Sequence, residues 1–403
     1  MNDVSTRSGV RIVLPEAGGR LATHELREPR HFPQRAARAF TRVAYSAAHV
    51  VSDPLAAVDP SLDVAIDWDA TIAYRRHLWS LGMGVAEAMD TAQRGMGLDW
   101  PTSLELIRRT LDAARDVPGA LVASGAGTDH LALADARSLD DVIAAYEQQI
   151  EAIEALGGRI VLMASRALAR LARSPDDYVR VYAKVLAQVR EPVILHWLGE
   201  MFDPALAGYW SGLRDAGADP GHATAMDVCA AVIADNASRI DGIKVSLLDA
   251  GKEIDLRGRL PAGVKMYTGD DFNYAELIAG DEQGYSDALL GIFDAIAPAA
   301  SAALAELADG NIDAFHETLA PTVPLSRHIF AAPTRFYKTG VVFMAWLNGH
   351  QSHFTMVGGQ QSARSVVHLA ELFRLADRAG LLSDPERAVS RMRTLLALHG
   401  VDG

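Results

Sequence analysis

The chain has 403 residues, 49% hydrophobic and 22% charged, with 33 glycines and 17 prolines, which excludes a disordered or fibrous protein. That length suits one large barrel or two modest domains. A formal charge of -13, with no Lys/Arg block to offset it, argues against general attraction to nucleic acid or to an anionic membrane.

Residues 1–41 hold one short apolar run, RIVLP, then a polar, arginine-rich stretch expected to wrap the closed end of the domain that follows. From about residue 42, short apolar runs alternate with longer amphipathic segments, the pattern of β-α units around a parallel sheet. Strands are predicted at 42–50, 83–89, 120–124, 159–164, 192–197, 241–247, 263–268 and 284–290. Helices are predicted between and after them, at 70–81, 103–116, 139–156, 176–189, 225–237, 250–260, 272–279 and 296–308. Ser138 before LDDVI and Ser174 before PDDYVRVY read as helix caps, with Pro175 at a first helical position. Eight strands with eight following helices predict a (β/α)8 TIM barrel over 42–310. A doubly wound open sheet is the competing fold, but no GxGxxG follows the first strand. Further helices at 312–330, 339–347, 362–379 and 385–398 form a C-terminal helical extension, 311–403, that covers the barrel or makes a homo-oligomer contact.

The lone Cys229 excludes an intramolecular disulfide framework and a cysteine-based zinc site. The opening MNDVSTRSGV has no apolar signal core, and no run reaches the roughly 18 apolar residues of a membrane span. A cytoplasmic protein without a membrane partner is expected.

Only five lysines occur, at 184, 244, 252, 265 and 338, so each can be weighed separately. In IDGIKVSLL the alternation turns Ile243, Val245 and Leu247 towards the helices and Gly242, Lys244 and Ser246 into the barrel. Burial disfavours the ammonium, and a neutral amine attacks carbonyls to form a Schiff base, the chemistry of class I aldolases. A structural ion pair or a snorkelling side chain is the alternative. Lys265 in GVKMYTGDD also points inward, but it precedes Asp270 by five residues and so falls nearer the closed end.

Gly242-Ile243-Lys244 resembles the G-I-K context of the Schiff-base lysine on strand six of the dihydrodipicolinate synthase / N-acetylneuraminate lyase family. ALVASGAGT resembles that family's strand three, PVILHW its strand five, and MYTGDDFNYAELIAGDEQGYSDAL its strand seven to eight passage, in the same order. The resemblance runs from about residue 42 to 320 and implies a (β/α)8 aldolase in which Lys244 carries the carbonyl substrate. There are departures. The family's strand-five tyrosine, a proton relay, corresponds to His196, and its carboxylate-binding arginine to Met201. Its Gly-Thr-Thr-Gly-Glu loop is represented by DTAQR, with Thr91 as the matching threonine. The branch resembled is that of dihydrodipicolinate-synthase-like proteins of unassigned activity.

His196 shares the parity of Ile194 and should point into the barrel, where an imidazole could move protons or stand as a buried structural residue. Arg94 and Arg166, just beyond strands two and four, are candidates for the missing carboxylate clamp, or else solvated loop residues. Asp270 and Asp271 follow strand seven and either bind substrate hydroxyls or cap the next helix. Asp129 and His130 read as loop residues near the mouth.

The expectation is a Schiff-base carbon-carbon lyase acting on a keto acid or keto sugar derivative, needing neither metal nor cofactor. Lys244 and His196 would be catalytic, and Thr91, Arg94, Arg166, Ser246, Asp270 and Asp271 would bind substrate. Two other classes stay open. His49, Glu87, Asp90, His196 and Asp271 all fall near strand ends and could serve a metal-dependent hydrolase or isomerase, although no HxH or HExxH spacing supports it. A barrel reduced to sensing or assembly is the third, against which stands the cost of an unused buried amine.

Overall fold

The computed structural model describes residues 7–33, 40–212 and 220–401. The chain divides into two compact units, one of Arg42–Ala48 with Met83–Gly291, the other of Met1–Thr41, His49–Gly82 and Ile292–Gly403.

The first unit carries all eight strands of a closed, parallel barrel. They are β3 (Ala44–Ala47), β4 (Gly84–Glu87), β5 (Val122–Ala126), β6 (Arg159–Leu162), β7 (Val193–Leu198), β8 (Ile240–Ser246), β9 (Lys265–Thr268) and β10 (Asp287–Leu290), and β10 closes on β3. Helices lie between successive strands in the chain, so the fold is the (β/α)8 barrel that the alternation predicts. One residue parity turns inward: Ala47, Ala86, Ala123, Val161, Ile194 and Leu289 meet in a single cluster with Tyr45 and Tyr267. The other parity is equally buried against the helices, with Ile243 at 0% and Val245 at 1% exposure. A parallel strand covered on both faces needs such continuous apolar runs. β5 extends two residues past its predicted end, through Gly125 to Ala126. Helix Arg166–Leu171, capped by the Ser165 hydroxyl, was not expected, and it makes Arg166 a first-turn residue instead of a loop residue.

The second unit contains a hairpin that the sequence reading missed. Strand β1 (Arg7–Pro15) pairs antiparallel with β2 (Leu21–Arg27) across a Gly18-Gly19 turn, and the charges interleaved in LATHELR conceal its period of two. The hairpin is held to the C-terminal helices. Asp377 accepts from the Arg27 amide at 3.0 Å and pairs with His24 at 2.9 Å, and Arg374 donates to the Pro15 carbonyl at 3.0 Å. The helix predicted over 312–330 is two helices, Ile312–Leu319 and Val323–Ile329, divided where Pro321 removes a backbone donor.

Candidate active site

β8 places Lys244 in register with His196 of β7 and Tyr267 of β9, facing inward, with 7% of its surface exposed. Burial pulls its amine below the ordinary lysine range, opposed by the nearby carboxylates of Asp90 and Asp271. Asp90 opens the 3-10 turn Asp90–Ala92 that follows β4, and Asp271 follows β9. Gly269, beside Asp270, is the space that Lys244 occupies: a Cβ there would stand 2.8 Å from Lys244 Cε and collide with Ser246 Oγ.

His196 is 1% exposed, and its Nε2 lies 3.3 Å from Ser246 Oγ. Its Nδ1 is buried without a hydrogen-bond partner. Burial, and then the charge of Lys244, push the imidazole well below its usual range, so it is neutral at physiological pH. A neutral imidazole beside an amine is able to take a proton.

His196 lines a cavity of about 160 Å³ together with Asp90, Arg94, Thr128, Asp129 and Arg166. Lys244 is outside that lining, but Asp90 and His196 belong to both groups. The two arginines differ in what they leave free. All five N–H groups of Arg94 point at partners: Asp129 Oδ2 (3.1 Å) and Oδ1, Gln149 Oε1 (2.9 Å), and the carbonyls of Gly125 (2.7 Å) and Ala88 (3.4 Å). Burial raises the Asp129 carboxyl, but Arg94 and Gln149 outweigh it and hold the group below the usual carboxylate range. Arg166 hydrogen-bonds Asp203 through Nε, and its Nη groups extend over Gly95, whose φ of +70° and missing Cβ leave the room.

Asp270 accepts from the amides of Phe272 (2.8 Å) and Asn273 (3.1 Å) and from Asn273 Nδ2 (2.8 Å), so its carboxylate organises the turn into helix Tyr274–Ala279. Thr91 is buried at 1% exposure in the turn that carries Asp90. Asp129 pairs with Arg94, while His130 hydrogen-bonds Gln148 (3.0 Å) and Gln149 (2.7 Å). Lys265 binds Asp241 at 2.9 Å, away from Lys244. The structure therefore gathers Lys244, His196, Ser246 and Asp271, and adds Asp90, which sequence reasoning weighed only as a metal ligand. Its position just beyond a strand end was the available signal.

Of the residues weighed for a metal, Glu87 accepts from Thr110 Oγ1 (2.6 Å) and the Ala88 amide (2.8 Å). His49 belongs to the second unit and bonds Asp294. Among the described residues, no group of three or more His, Cys, Asp or Glu side chains is placed to hold a metal ion.

Solved structures share this fold. The 4-hydroxy-tetrahydrodipicolinate synthase of Methylacidiphilum fumariolicum SolV aligns with a TM-score of 0.61 and 15% identity, over 88% of this chain and 99% of that one. YagE of E. coli K12, a prophage protein of the dihydrodipicolinic acid synthase family solved in complex with pyruvate, aligns with a TM-score of 0.60 and 14% identity, over 90% and 100%. Dihydrodipicolinate synthase of Aquifex aeolicus gives a TM-score of 0.59 and 11% identity, over 89% and 98%. At such identities the likeness is one of fold, and at that level the resemblance drawn from the sequence holds. No curated protein matches the sequence. One family model spans nearly the whole chain, residues 12–401, and by that match the chain belongs to the family described as "Protein of unknown function (DUF993)".

Proposed function

We propose that this protein is a class I aldolase-type lyase that makes or breaks a carbon-carbon bond in a keto acid or keto sugar derivative through a Schiff base on Lys244. The observation that carries this reading is the buried, depressed amine of Lys244 beside the neutral imidazole of His196. The amine attacks the carbonyl carbon, the oxygen departs as water, and the protonated imine draws in the electron pair of the adjacent carbon-carbon bond. His196 takes the proton of the substrate hydroxyl as that bond breaks and an aldehyde leaves. It later returns the proton to the enamine carbon, and water releases the product from the lysine. Arg166, whose Nη groups extend at the cavity, is the group proposed to hold a substrate carboxylate. Asp271, Ser246 and Thr91 are proposed as its neighbours in substrate binding, whereas Arg94 and Asp270 would act through the walls they hold.

Borohydride reduction with a panel of keto acids and keto sugars tests the reading. Mass spectrometry should find the reduced adduct on the Lys244 peptide, and Lys244→Ala should abolish both trapping and turnover. Undiminished turnover in Lys244→Ala would remove the reading.

A further inference from the structure

The second unit contains a cavity of about 380 Å³, within the size range of small-molecule sites. Its polar lining divides sharply. Asp294 is engaged, its carboxylate accepting from the amide of His49 (2.8 Å) and from His49 Nδ1 (2.8 and 3.0 Å). Asn348 is engaged too, its Oδ1 accepting from the Ser383 amide (3.0 Å) and hydroxyl (3.1 Å). Tyr74 donates to the Asp294 carbonyl at 2.6 Å.

The other polar side chains of the lining are Arg30, His31, His77 and His350. His77 Nε2 is buried with no hydrogen-bond partner. Its ring lies 4.5 Å from that of His350, which in turn meets Tyr74 edge-on at 5.0 Å. Arg30 stands at the rim, exposed, its guanidinium 5.4 Å from the Phe32 ring and without a carboxylate among the described residues. Burial, with the neighbouring His77 and His49, depresses His350 to about 4, and burial lowers His77 as well. Both rings are therefore neutral at physiological pH, each with one N–H to donate and one nitrogen to accept, and the fixed positive charge comes from Arg30. The Arg30 charge at the rim and the unpartnered Nε2 of His77 suit an anion, and both oxygens of the Asp294 carboxylate are held by His49. Pro298, Met344 and Leu381 supply an apolar wall.

We infer that this cavity binds a small organic carboxylate, with its carboxyl group on Arg30 and the imidazoles of His77 and His350 and its apolar body against Phe32, Pro298, Met344 and Leu381. Neither the barrel cavity nor Lys244 takes part, so the inference is independent of the proposed lyase activity.

The test is calorimetric titration of the full-length protein with benzoate, 4-methylpentanoate, benzamide, benzylamine and inorganic phosphate. At least one carboxylate should bind saturably, with benzamide and benzylamine weaker by about tenfold or more, the scale of a lost charge-assisted hydrogen bond. Arg30→Gln, at an exposed residue with no carboxylate partner among the described residues, should weaken the carboxylate by a similar factor, and His350→Phe, which keeps an aromatic ring but removes both nitrogens, should weaken it as well. His196→Phe and Arg166→Gln, both in the barrel, should leave it unchanged. No saturable carboxylate binding, equal binding of benzamide, tighter binding of phosphate, indifference to Arg30→Gln, or loss in the barrel variants would each overturn the inference.

Discussion

At Lys244 burial removes the water that would stabilise an ammonium, while Asp90 and Asp271 work the other way, so the amine titrates below its usual range yet keeps acidic neighbours. His196 is depressed too, and there burial and the lysine charge act in the same direction. An essential neutral imidazole loses activity as pH falls through its pKa, so turnover should decline on an acid limb lying below the ordinary histidine range. In His196→Phe that limb should vanish and turnover fall by roughly 10²–10⁴-fold, while borohydride trapping at Lys244 persists, slowed. Near-normal turnover in this variant would transfer the proton relay to Ser246 or the aspartates. Glu253 offers a stability measurement instead. It is fully buried, held by Ser286 Oγ (2.8 Å) and Thr268 Oγ1 (3.0 Å), and burial raises it from 4.5 to about 8. The folded chain keeps a proton that the unfolded chain releases, so this group's contribution to stability falls as pH rises from 4.5 to about 8. Glu253→Gln should abolish that slope and be the more stable form at pH 9, by an amount on the order of 5 kcal/mol in urea unfolding.

Among the elements, the helices announce their beginnings most clearly. Ser138 accepts from the Asp141 amide at 3.2 Å, and Asp141 accepts from the Ser138 amide at 2.8 Å, a reciprocal cap on helix Leu139–Ala155. Ser138→Ala should cost about 1 kcal/mol and speed amide exchange in that first turn, with the barrel strands unaffected. Exchange unchanged there would show that packing of the buried helix face alone fixes the start. Strand ends were less legible, since pairing stops where neighbouring strands diverge, which depends on the partner. The short helix at Arg166 was invisible because six residues carry too little periodicity, and its cap, Ser165, sits inside what reads as a strand-to-loop passage.

For the whole molecule, assembly is the main expectation that the fold leaves to solution experiments. Leu55 (91% exposed), Leu62 (81%) and Leu398 (80%) lie open to solvent in the second unit. Sedimentation at micromolar concentration should give at least twice the mass of one chain, and a monomer would refute the homo-oligomer. No helix among the described residues is long and apolar enough to cross a membrane.

The sequence by itself determined the barrel, its strand count and the inward parity of Lys244, His196 and Ser246, because alternation along a strand and helical periodicity are local properties. It did not reveal that Asp90 faces the lysine, that Gly269 makes room for it, or that Arg94 is tied into the wall while Arg166 keeps its Nη groups extended. Those relations join residues from different strands and loops. Closure of the barrel sets the distances between them, and no single stretch of chain records where that closure brings its neighbours.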